Sequence, residues 1–111
     1  MAEEQSAALA QAMQLMVNAG DAKKAAKKAL AAARAGKMTV AKQQFATAQA
    51  TLNEAHNIQT KMLTAEAQGK KVELTLLIVH AQDHLMTAIT YVDLAEEIVH
   101  LYGRLNQPAH E

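Results

Sequence analysis

Residues 74–99 read LTLLIVHAQDHLMTAITYVDLAEEIV, and the spacing of their apolar side chains decides the fold. At about 100° per residue, Leu74, Ile78, Ala81, Leu85, Ala88, Val92, Ala95 and Val99 fall on one broad face. Steps of three and four sustained over this length specify an amphipathic helix. Roughly opposite lie Leu76, His80, Asp83, Thr87, Thr90, Leu94 and Leu101, with Ile98 beside them. This second seam is leucine at its ends and polar in its middle. Two further helices cannot easily cover both faces, so the second face is expected to meet copies of itself. Polar residues at seam positions set register and copy number. The expectation is a homo-oligomer with a polar centre.

Working outward from this segment, Gly36-Lys37-Met38-Thr39 predicts a helix stop at Gly36 and a new N-cap at Thr39. Gln68-Gly69-Lys70-Lys71 predicts the second break. Three helices follow, over about 4–35, 39–67 and 72–106, each on the order of 45–50 Å long. Short connections between long helices favour antiparallel neighbours, which makes the chain all-α, an antiparallel up-down-up three-helix bundle. It reads as a single domain over 1–111 with its core at about 4–106. In the middle segment Phe45, Ala48, Leu52, Ala55, Gln59 and Met62 form one narrow apolar stripe. Gly20 falls inside the first helix, where glycine costs about 1 kcal/mol relative to alanine. A kink or a close helix crossing is the expected reason, a close approach of another molecule to Asn18-Ala19-Gly20 the alternative.

Composition narrows the function. Of 111 residues 50% are hydrophobic, yet Phe45, Tyr91 and Tyr102 are the only aromatics. Alanine buries little area, so this chain is expected to find further burial between subunits. Eleven basic and eleven acidic residues balance, which argues against nucleic acid as a partner and against a membrane-surface module. Without cysteine there is no disulfide, thiolate zinc site or thiol nucleophile. Met1-Ala2-Glu3-Glu4-Gln5 is unlike a signal peptide, and the run from Leu74 to Val79 is too short to span a bilayer. The expected location is cytoplasmic, with no direct membrane insertion.

The chemistry concentrates in Val79–Met86, where two imidazoles and a carboxylate interrupt an apolar helix. If several copies of Asp83 converge on an axis, their carboxylates repel. A shared proton relieves the repulsion, and so does a divalent cation, for which an all-oxygen site favours magnesium over zinc. A lateral partner for Asp83 is the plain alternative. His80 and His84, four apart, have a spacing that can hold a transition metal, but no third ligand is evident. His84 and His56 read as ordinary interface or solvated residues. A histidine is also a nucleophile. His80, at the edge of the seam, suits phosphoryl transfer if one nitrogen faces an intersubunit groove, with Gln82 and Asn18 as neutral donors for phosphoryl oxygens. Lys23, Lys24, Lys27 and Lys28 read as a solvated face.

The wording of the sequence adds a resemblance. Leu77-Ile78-Val79-His80-Ala81-Gln82-Asp83-His84-Leu85-Met86-Thr87 closely resembles the signature of the lactose/cellobiose-type enzyme IIA of the phosphoenolpyruvate-dependent sugar phosphotransferase system. Leu52-Asn53-Glu54-Ala55-His56 with Gln59-Thr60 resembles that family's second-helix signature, and Val17-Asn18-Ala19-Gly20 its first. The resemblance covers about 9–106. It implies an all-α homotrimer of three-helix subunits, phosphorylated on His80, with a trimer-axis metal at Asp83. It also implies that the histidine-containing phosphocarrier protein is the donor and a cysteine of a IIB protein or domain the acceptor. The resulting expectation is a phosphocarrier for uptake of a β-linked disaccharide. Its rival is a structural or engineered trimer scaffold in which His80 and Asp83 only specify assembly.

Overall fold

Two glycines place the turns. Gly36 and Gly69 have φ of 81° and 87°, the left-handed region that glycine enters at little cost. Each closes a helix in a Schellman motif. Lys37 N–H donates to Ala32 O at 2.8 Å and Gly36 N–H to Ala33 O at 3.0 Å, while Lys70 and Gly69 do the same to Ala65 and Glu66, both at 3.0 Å. The computed structural model describes residues 2–107, and between and beyond these turns run three helices: α1 (Ala2–Arg34), α2 (Met38–Ala67) and α3 (Leu76–Leu105). They form a rod 66 × 20 × 19 Å. Contacts between side chains and backbone at either end of the rod set the register. Gln5 both accepts from Glu73 N–H and donates to Glu73 O, and Asn106 donates to Ala33 O at 3.2 Å. Thus α1 and α3 run parallel, with α2 antiparallel to both.

The core is largely alanine. Ala12, Ala19, Ala22, Ala26, Ala29 and Ala33 of α1 have no exposed surface, and neither do Ala41, Ala48 and Ala55 of α2. Small side chains at the contacts let helix axes approach to the short end of the usual 8–10 Å spacing. From α3 come Ile78, Ala81, Leu85, Ala88, Val92, Ala95 and Val99, all buried, so the first face of this helix is the core face. α1 is the central partner: α2 and α3 touch each other far less than either touches α1. The opposite face of α3 stays open, with Leu76 85% exposed, Leu94 57%, Leu101 56% and Leu105 69%.

Three local expectations are corrected. α3 begins at Leu76 instead of 72, because Thr75 is extended (φ −101°, ψ 161°) and its hydroxyl accepts the Ile78 N–H at 3.2 Å. Leu74 therefore precedes the helix and is exposed, outside the core face. α2 begins at Met38 with Lys37 at the cap position and no side-chain cap bond. The Schellman turn leads directly into it, Lys37 O already accepting from Ala41 N–H at 3.0 Å, so Thr39 is not the cap. Finally, α1 runs unbroken through Gly20, and a Cβ built there meets nothing within 4 Å. The close-crossing explanation fails within the protomer. Gly20→Ala should therefore stabilise the chain by about 1 kcal/mol, read as a higher urea midpoint at unchanged slope. A lower midpoint would mean that another surface packs on Gly20.

Candidate functional site

The first turns of α3 carry the chemistry to the surface. His80 is exposed and His84 half-buried, one turn apart on the same side of the helix. Their Nε2 atoms lie 3.1 Å apart, with ring centroids at 4.5 Å and planes at 83°. Two facing nitrogens at that distance need one N–H and one lone pair between them, so each ring sets the tautomer and orientation of the other. Taken from spacing alone, His84 reads as an ordinary interface residue. In the structure it touches His80. The signal for this contact was the four-residue interval itself.

Asp83, three residues on from His80 and on the same seam, is exposed. The Thr87 hydroxyl donates to the backbone carbonyls of Asp83 and His84 at 3.0 and 3.1 Å, so it does not engage the carboxylate. No group of three or more His, Cys, Asp or Glu that could hold a metal ion occurs among the described residues. Among the described residues, a transition-metal site at His80 and His84 has no third ligand of these types within the protomer. Asp83 by itself offers one hard oxygen group, and nothing among the described residues completes a three-ligand set around it.

The two expected phosphoryl donors are placed elsewhere. Gln82, about 200° around α3 from His80, turns toward α2. It accepts from Gln59 Nε2 at 2.8 Å, and its own Nε2 lies 3.7 Å from Met62 Sδ. Asn18 is 7% exposed and accepts from Gln14 Nε2 at 2.9 Å. By the register of α1 on α3, it sits roughly 10–15 Å along the axis from His80. Within one protomer, therefore, neither amide joins His80. A contact from either to a phosphoryl group on His80 would need a changed side-chain placement or a second copy of the chain. His56 is exposed on α2.

Around His80 the surface is unusually apolar for a free face. Leu76, Leu77, Val79 and Met86 are all exposed, and apolar side chains exposed in such number over three turns of one helix mark an interaction surface. An accessible imidazole, oriented by a second ring and bordered by apolar surface, is equipped for nucleophilic transfer between docked proteins. No described helix is long and apolar enough to cross a membrane.

The family described as PTS system, lactose/cellobiose-specific IIA subunit, matches residues 10–103. The chain is similar to the lichenan-specific phosphotransferase enzyme IIA component of Bacillus subtilis, 42% identical over 94 residues, covering 85% of this chain and 86% of that protein. Among solved structures it resembles the PTS cellobiose-specific enzyme IIA from Bacillus anthracis. The TM-score there is 0.85 at 44% identity, over 88% of this chain and 90% of the other. It also resembles the IIA protein in the IIA(chitobiose)–HPr complex of the Escherichia coli phosphotransferase system. The TM-score is 0.76 at 36% identity, over 87% of this chain and 94% of the other.

Proposed function

The chain belongs to the lactose/cellobiose-specific IIA subunits of the sugar phosphotransferase system, components of a phosphotransferase relay, and from that premise we propose that His80 carries the phosphoryl group. The observation that supports this most directly is the exposed His80 ring, held by His84 at 3.1 Å. An imidazole lone pair of His80 attacks the phosphorus of the phosphorylated histidine-containing phosphocarrier protein. A new N–P bond forms as the donor's N–P bond breaks, and the electron pair returns to the donor imidazole, so no proton need be gained or lost. In the second step a IIB cysteine thiolate attacks the same phosphorus and His80 recovers its lone pair. The complex of the chitobiose relative with HPr supports the choice of donor. The lichenan and cellobiose names of two relatives support a β-linked saccharide as the cargo of the system.

The relay is cytoplasmic, and its working unit is a homotrimer built on α3. Leu76, Leu94, Leu101 and Leu105 are the exposed stripe that such an assembly would cover. Three copies of Asp83 around the axis would hold a divalent cation, magnesium by the hardness of its oxygen donors. Bound there, the ion would supply two positive charges that offset most of the repulsion among the three carboxylates. Gln82 and Asn18 serve the phosphoryl group only across the subunit boundary or with a changed side-chain placement.

The test is to incubate the protein with phosphoenolpyruvate, enzyme I and the histidine-containing phosphocarrier protein. One acid-labile, base-stable phosphate per chain is the expected result. A folded protein that takes none, alongside a working control IIA, leaves the scaffold as the better account.

A further inference from the structure

About 30 Å along α3 from His80, the weak contact between α2 and α3 leaves a groove at the other end of the rod. Two adjoining cavities share Met38, Lys42 and His100. The inner one, about 120 Å³, is floored by Phe45 and Val99 and carries Glu96 at its edge. A cavity of this order holds a small ring. The outer one, about 560 Å³, adds Arg104. Gly103 helps make the space: a Cβ there would stand 3.2 Å from the methyl of Met38, a residue that lines both cavities. In the outer cavity the charge is one-sided, while Glu96 shares the inner one with Lys42. Lys42 and Arg104 are fixed cations, His100 adds a ring N–H, and no carboxylate among the described residues lines the outer cavity.

The groove also lies off the seam. His100 is about 100° around α3 from Leu101, on the side of α2, so covering the seam leaves it open. We propose that this groove binds a small organic phosphate, its phosphate between Lys42 and Arg104 and its compact organic part over Phe45. A phosphomonoester is close to a dianion at neutral pH, which matches two fixed cations. Such oxygens take charge-assisted bonds from a guanidinium and an ammonium. Because both cations are exposed, the affinity is modest and falls with salt. The site does not rest on the relay assigned to His80.

Glucose 6-phosphate, inorganic phosphate and glucose serve as probes, titrated into the full chain while backbone amide resonances are followed. Glucose 6-phosphate should give saturable shifts at Gly36, Met38, His100 and Gly103. Inorganic phosphate should bind more weakly and glucose not at all. Lys42→Gln and Arg104→Gln should each weaken binding about tenfold with helicity unchanged, since both side chains are exposed, and Lys24→Gln should leave it alone. His80→Gln should bind as well as the parent, which separates this site from the phosphoryl relay. The proposal is overturned by the absence of saturable shifts at those residues. It is equally overturned if binding survives in the Lys42→Gln/Arg104→Gln double variant, or if inorganic phosphate binds as tightly as glucose 6-phosphate.

Discussion

His80→Gln should take up no phosphate from the histidine-containing phosphocarrier protein while keeping its helical content and assembly. The loss is complete because the side chain is the nucleophile: an amide has no basic nitrogen lone pair with which to form an N–P bond. The fold is spared because His80 is exposed and packs on nothing in the core. The controls make the result specific. His56→Gln changes an exposed residue on another helix and should be labelled normally. His84→Gln removes the ring 3.1 Å from His80, yet leaves the nucleophile, so it should still be labelled. Acid-labile phosphate retained on His80→Gln would move the site elsewhere, and failure of all three variants would point to a lost docking surface. Labelling is best read by intact mass after a short exposure to the phosphorylated donor.

Asp83→Leu should leave the protein trimeric, free it from dependence on divalent cations and raise its melting temperature. Three carboxylates gathered on one axis repel, increasingly so as the surrounding leucines exclude water. Within the protomer Thr87 bonds backbone carbonyls rather than this carboxylate, so an axial arrangement would depend on an external charge. A cation bound to the trimer but not to unfolded chains stabilises it by mass action, about 2.7 kcal/mol at a concentration a hundred times its dissociation constant. Chelator should accordingly lower the melting temperature of the parent by several degrees and leave Asp83→Leu unmoved. Replacing buried charge by apolar volume often stabilises by about 1–4 kcal/mol, and the new leucine extends the row formed by Leu76 and Leu94. Sedimentation equilibrium should return three protomer masses for both proteins. If Asp83→Leu dissociates, or the parent ignores chelator, Asp83 has a lateral partner and the axial cation is wrong.

Periodicity alone carried the three helices and the buried face of α3, because a side chain every three or four residues can serve only one face of a helix. Ile78, Ala81, Leu85, Ala88, Val92, Ala95 and Val99 are all buried where that pattern put them. Gly36 and Gly69 were equally legible, since a left-handed turn at a helix end is a local requirement of the backbone. The start of α3 was not. The apolar run continues through Leu74, but the Thr75 cap and the Gln5 clamp on Glu73 end the helix before it, and the clamp comes from a residue 68 positions away in the chain.

The site divides along the same line. His80, Asp83 and His84 could be placed together on the first turns of α3 from the sequence, because their neighbourhood is set by a single helix. The partner of Gln82 could not, since Gln82 is held by Gln59 across a helix pair, whereas the Gln14–Asn18 bond spans one turn of α1 and only the burial of Asn18 is tertiary. Only the packing of α1 against both other helices decided that Gly20 is bare and that α2 and α3 part around Lys42, Phe45 and His100. Short-range periodicity and backbone conformation are properties of the chain itself, whereas the gap between two helices depends on how a third one holds them.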